Sequence, residues 1–159
     1  MTDVNIRPAR AGDVPGLTDI VGRTGLFPAE MLAPMIAPAL DGQEGGFWLV
    51  AERDDQPLGF AYTAPEAMTE GVWNMLALAV LPGAQRGGVG AQLVQGVEAH
   101  LGSQEARLVL VDTSSGPDFE AARQFYENRG YGLEARIRDY WGAGDDKLTY
   151  RKAFPAPMP

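Results

Sequence analysis

The chain has no cysteine, and its 159 residues include one histidine, His100. The first absence excludes a disulfide framework, a thiolate zinc site and a cysteine nucleophile, and the second excludes a multi-histidine metal centre. Basic residues are scarce. The 13 Lys and Arg stand against 21 Asp and Glu, a net charge of -8. Affinity for a nucleic-acid backbone needs the opposite balance, so no nucleic-acid partner is expected; a cationic small molecule or basic peptide is the better electrostatic match. No apolar run is long enough to span a bilayer, and no charged-then-apolar leader precedes Asp3-Val-Asn-Ile. A cytoplasmic location without membrane contact is therefore the expectation.

Hydrophobic residues make up 45% of the chain, enough for a real core, and the length suits one domain over residues 1–154. The remaining 155–159 are rich in proline and are expected to be disordered. The most informative stretch begins at Trp73. Trp73 to Val80 is mostly apolar and suits a strand covered on both faces, and Pro82 stops it. From Val89 the apolar residues Val89, Leu93, Val97 and Leu101 recur every fourth position, one stripe of a helix.

Between strand and helix lie Gln85-Arg86-Gly87-Gly88-Val89-Gly90. Each glycine at a helix start costs up to about 1 kcal/mol relative to alanine, so a bare backbone has a use there. A helix start carries unpaired N–H groups and a partial positive charge, and removing side chains lets a phosphate reach them. The bland alternative is a glycine-rich surface turn. A Walker loop is excluded because no Gly-Lys-Ser/Thr follows, and a dinucleotide fingerprint because Gly-x-Gly-x-x-Gly does not follow a first strand.

The rest of the chain alternates strands and helices. Val4 and Ile6 suggest a first strand, and Asp13 is expected to cap a helix carrying Val14, Leu17, Ile20 and Val21. Met31, Leu32, Met35 and Ile36 suggest a second helix shortened or kinked by Pro34 and Pro38, packed in the core or walling an acceptor pocket. Phe47 to Glu52 and Pro57 to Thr63 flank Arg53-Asp-Asp-Gln56, a hairpin signal. Ala106 to Asp112 reads as a strand parallel to the Trp73 strand, reached through the central helix. Ser115-Gly-Pro117-Asp118 resembles a capped helix start and Gly130 a stop; Tyr131 to Arg138 and Lys147 to Ala153 close the chain as an antiparallel pair joined by Trp141 to Asp146.

Gln85-x-x-Gly88-x-Gly90 after Val80-x-Pro82, the opening Ile6-Arg-Pro-Ala, and the late Phe125-Tyr126-x-x-x-Gly130-Tyr131 together resemble the GNAT superfamily of N-acetyltransferases over roughly residues 4 to 153. The resemblance implies an α/β (α+β) GNAT fold: a mixed, mostly antiparallel twisted sheet of about seven strands with a parallel, splayed central pair and about four helices. It implies transfer of an acetyl group from acetyl-CoA, as cosubstrate and without a metal, to a primary amine of a small molecule or peptide by direct attack. Leu78 and Val80 would offer backbone groups to the pantetheine arm. Gln85, Arg86, Gly87, Gly88, Val89 and Gly90 would bind the pyrophosphate. Tyr126 would hydrogen-bond or protonate the leaving thiolate. Relatives often pair through their terminal strands, so a homodimer is expected.

The sequence departs from the family pattern twice. No carboxylate lies on the Trp73 to Val80 strand, and Glu66, Glu70 or Asp139 are the candidates for the base, directly or through water. Phe119 stands where relatives often carry asparagine, with Ser114, Ser115 or Arg123 as candidate substitutes. Asp139, Asp145 and Asp146 either form the closing turn or attract a cationic acceptor, and His100 suits a helix end. The missing strand carboxylate also keeps open a non-catalytic acyl-CoA-binding sensor or regulatory module on the same fold.

Overall fold

Residues 3–155 are described by a computed structural model of the chain; the expectation for 156–159 lies outside them. Seven strands form one sheet in the order β1-β2-β3-β4-β5-β7-β6: β1 (Asn5–Pro8), β2 (Phe47–Arg53), β3 (Gln56–Pro65), β4 (Val72–Val80), β5 (Leu108–Ser114), β6 (Gly132–Gly142) and β7 (Asp145–Ala153). The helices are α1 (Val14–Thr24), α2 (Leu32–Leu40), α3 (Val89–Ser103) and α4 (Glu120–Asn128), with short 3-10 turns ahead of each. This is the mixed, mostly antiparallel architecture expected, including the parallel β4–β5 pair. No described helix is long and apolar enough to cross a membrane.

The chain groups into two compact units. The first comprises the described residues up to Ala64 with Leu76–Ser103. Its core is built from Leu17, Ile20 and Val21 of α1, Leu32 and Ile36 of α2, and Trp48, Val50, Phe60, Ala77 and Ala79 of the sheet. Core packing thus accounts for the apolar face of α2: Leu32 and Ile36 are fully buried, Met35 packs beside them and Met31 is exposed. The four residues of the predicted stripe on α3 are each at most 1% exposed. At the β2–β3 hairpin Arg53 pairs with Gln56, leaving Asp54 and Asp55 as a two-residue turn with positive φ at both positions, the geometry whose twist matches that of the strands.

Asp13 does not cap α1 through its side chain. Its carboxylate instead accepts from both Arg7 Nη atoms at 2.7 Å and from the Arg10 N–H at 2.8 Å. Arg7 also forms an ion pair with Glu52 at 3.0 Å, and Asn5 donates to the same carboxylate. The Arg7 guanidinium holds the Asp13 and Glu52 carboxyls below their usual range. Because both are depressed in the folded state, their contribution to stability is complete above the unfolded carboxylate range, near about 4, and is lost as pH falls through the folded values. A thermal-denaturation series should show this unit's stability falling progressively below about pH 4, with a weaker acid dependence in Asp13→Asn.

The second unit comprises Pro65–Met75 with the described residues from Gln104 on. Within it β4 pairs with β5 from Val72↔Leu108 to Asn74↔Leu110, while β5 pairs with β7 along its whole length, Leu108↔Ala153 to Ser114↔Lys147. The β6–β7 hairpin is longer than the sequence suggested. The strands reach Gly142 and Asp145, leaving Ala143 and Gly144 as the turn, with Gly144 at φ 78°. The expected side-chain cap of α4 is also absent: Ser115 Oγ accepts from the Asp146 N–H, and the helix enters through the 3-10 turn Pro117–Phe119. Gly130, at φ 92°, supplies the predicted stop.

Candidate functional site

In the first unit β4 runs out through Leu78 and Val80 into the 3-10 turn Pro82–Gly87 and then into α3. Gln85 Nε2 donates to the Val80 carbonyl at 3.1 Å, bracing the end of the strand with its side chain. Arg86, Gly87 and Gly88 are exposed. Gly88 has φ 77°, a left-handed conformation that favours glycine, and a Cβ added at Gly87 or Gly88 would meet nothing within 4 Å. No neighbouring protein atom therefore requires Gly87 to be small. The Gln92 N–H donates to the Gly88 carbonyl at 3.1 Å and so closes the first turn of α3. The amides preceding Gln92 at the start of α3 have no intrahelical acceptor, and beside the exposed glycine turn they make a geometry suited to an anion.

Tyr126 lies in the second unit, on α4. It is 8% exposed, and its ring contacts those of Phe125, Tyr131 and Tyr150 at centroid distances of 5.4, 6.1 and 6.4 Å. Burial pushes its phenol up to about 12. The group is thus fully protonated at neutral pH and is a hydrogen-bond donor throughout the physiological range. Phe119, in the 3-10 turn ahead of α4, is 46% exposed.

Several other candidates are engaged structurally. Arg123 Nη1 donates to the Ser114 and Gly116 carbonyls, Ser114 Oγ donates to Asp145, and Ser115 Oγ is taken by the Asp146 amide. Asp139 accepts from the Gly144 N–H and Asp146 binds both Arg136 and the Asp139 N–H, which identifies these aspartates as hairpin formers. His100 packs against Phe47 with ring centroids 4.1 Å apart near the end of α3, in keeping with its expected helix-end role. Glu70 contributes its carbonyl to Arg107 Nε.

Glu66 belongs to a group that spacing alone did not reveal. Asn74 of β4 is 6% exposed, and its Nδ2 donates to Glu66 Oε1 at 2.9 Å and to Asp112 Oδ2 at 3.2 Å. Asp112 is further held by Thr149 Oγ1 at 2.6 Å and by Lys147 Nζ at 3.7 Å. Glu66 has no cationic partner among the described residues, and the buried Asn74 Oδ1 has no hydrogen-bond partner there. The available signal was Asn74 itself, a lone amide in an otherwise apolar strand.

Comparison with known proteins agrees with this architecture. The acetyltransferase (GNAT) domain profile matches residues 44–132. A solved structure of a Desulfovibrio desulfuricans protein assigned to the GNAT family superposes with a TM-score of 0.88 at 30% identity, covering 95% of this chain and 99% of that one. The curated mycothiol acetyltransferase of Streptomyces avermitilis is 37% identical over 86 residues, 54% of this chain; the match spans only 27% of the relative's length. An aminoglycoside 6'-N-acetyltransferase complexed with coenzyme A shares the fold, with a TM-score of 0.78 at 17% identity and coverage of 97% and 99%.

Proposed function

Because the chain belongs to the GNAT family of acetyltransferases, we propose that it transfers an acetyl group from acetyl-CoA to a primary amine of a small molecule or peptide by direct attack. The observation that carries this reading is the open glycine turn before α3, where a Cβ at Gly87 or Gly88 would meet nothing within 4 Å next to the unpaired donors of a helix start. In this reading the amides of residues 87–90 receive the diphosphate, Arg86 adds a positive charge, and the β4 backbone at Leu78 and Val80 pairs with the pantetheine arm as a further strand would. Gln85 holds the strand end in place through Val80.

The amine nitrogen attacks the thioester carbonyl carbon, the C–S bond breaks, and the CoA thiolate departs. Tyr126 donates a hydrogen bond to that thiolate. Full transfer of the phenolic proton is disfavoured: a phenol near 12 against a thiol near about 8.5 makes it uphill by about 5 kcal/mol. The thiolate therefore takes its proton from the attacking amine, directly or through water. The net charge of -8 favours cationic acceptors.

The rival function is acyl-CoA sensing without transfer. Incubation with acetyl-CoA and a panel of triglycine, putrescine and glucosamine, followed by free-thiol detection, separates the two. Amine-dependent thiol release supports transfer; acetyl-CoA binding with no release on any amine supports the sensor.

The same reading extends to assembly through β6. This edge strand is exposed at all eleven positions and displays Leu133, Ile137, Tyr140 and Trp141. A long edge with apolar side chains is a pairing surface, and a second copy of the chain is its occupant. Sedimentation at micromolar concentration should give a dimer that Ile137→Lys converts to monomer; a wild-type monomer contradicts this assignment.

A further inference from the structure

The geometry points to the Glu66–Asn74–Asp112 group as the site that receives the acceptor's ammonium and removes its proton, an inference that rests on the acetyl-transfer reading above. Asp112 and Glu66 are joined through one amide. Asn74 Nδ2 spends one hydrogen on each, at 3.2 and 2.9 Å, so its orientation is fixed from both ends. The two carboxylates differ. Asp112 is neutralised by Lys147 and held by Thr149, and it acts as the anchor. Glu66 lies in the β3–β4 connection, is only partly buried and has no cation beside it among the described residues. The group therefore carries one uncompensated carboxylate.

A second observation points to a ligand. Asn74 Oδ1 is buried and has no donor among the described residues. Left so, it loses its hydration without replacement, and an N–H donor from an ammonium would restore a partner. The ammonium has three such donors, enough for Glu66 and Asn74 together. Through Asn74, Glu66 is linked to Asp112 and, beyond it, to Lys147, whose Nζ also lies 4.5 Å from the centroid of the Tyr140 ring. Asn74 and Asp112 are positioning residues, and Glu66 is the catalytic base.

The proton balance is complete with these groups. The ammonium gives one proton to Glu66, which returns it to solvent. The freed nitrogen forms the bond to the acetyl carbon, the C–S bond breaks, and the second nitrogen proton accompanies the departing thiolate to give CoA–SH. No oxidant, metal or further reactant is needed.

Glu66→Gln tests the assignment on any amine of the panel that the wild type acetylates. At pH 7 kcat/KM should fall by about 10²-fold or more, the scale of a lost general base. The deficit should shrink as pH approaches the amine's own pKa, near about 8 for the triglycine α-amine and about 10 for putrescine, because free amine then needs no base. Acetyl-CoA affinity and melting temperature should stay at wild-type values. Asn74→Ala should show the same pH-dependent deficit in a weaker form. A Glu66→Gln enzyme within threefold of wild type at pH 7, or an equal deficit at every pH, overturns the inference while leaving acetyl transfer intact. If the wild type binds acetyl-CoA but releases no thiol with any of the three amines, the acetyl-transfer reading fails first and this inference with it.

Discussion

Gly87→Asp lowers affinity for acetyl-CoA and CoA by about 10²–10³-fold while leaving the fold unchanged; this is the expected result of a titration compared with a thermal melt. Gly87 sits in ordinary backbone space, outside the set of positive-φ glycines, and a Cβ there would meet no atom within 4 Å. An exposed substitution with no neighbours normally changes stability by no more than about 0.5 kcal/mol. A diphosphate docked on the turn would meet the new carboxylate at close range. Like charges brought together at an interface cost several kcal/mol, and about 3–4 kcal/mol corresponds to the stated loss of affinity. Affinity and melting temperature read together isolate the ligand, because a Cβ at this exposed position meets no protein atom within 4 Å. A variant that melts with wild type and binds CoA with wild-type affinity would remove the diphosphate from this turn.

Tyr126→Phe reduces kcat by about 10²-fold, the scale of a lost donor to developing negative charge, with little change in acetyl-CoA affinity. The hydroxyl is the only group removed, and the ring contacts with Phe125, Tyr131 and Tyr150 remain available to phenylalanine. The pH profile separates donor from acid. With the phenol pushed up to about 12 by burial, Tyr126 is protonated below that value and loses its proton above it. Wild-type kcat should therefore show no decline assignable to this group between pH 7 and about 10. A wild-type decline near about pH 8–9 that disappears in Tyr126→Phe would instead identify a titrating acid. A variant within twofold of wild type would take the tyrosine out of the reaction.

The parts of the fold legible in the sequence are those set by local periodicity. Val89, Leu93, Val97 and Leu101 repeat every fourth residue, and all four are buried on α3 because one helical stripe is all that the repeat can form. Arg53-Asp-Asp-Gln56 marked the β2–β3 turn because two residues between alternating strands leave few other geometries. Helix starts were harder to read. Asp13 and Ser115 have the chemistry of caps, but Arg7 claims one and the Asp146 amide the other, contacts that local spacing does not encode. Likewise Tyr140 and Trp141 extend the final hairpin where glycines and aspartates suggested a longer loop.

For the candidate site the same division holds. The glycine turn was visible because its residues are contiguous. Asn74 and Asp112 lie 38 positions apart and meet only because β4 and β5 are parallel in the register Asn74↔Leu110, which carries Asp112 onto the same face. Glu66 could be nominated as a base from its position before the strand, but singling it out required the contacts: its carboxylate meets the buried Asn74 amide, while that of Asp139 binds the Gly144 amide of the hairpin turn.

The measurement that bears most directly on this account is calorimetric titration of the purified chain with acetyl-CoA. Saturable binding of one acetyl-CoA per chain, weakened by Gly87→Asp and unaffected by Glu66→Gln, is the predicted result. No heat of binding at millimolar acetyl-CoA would contradict it.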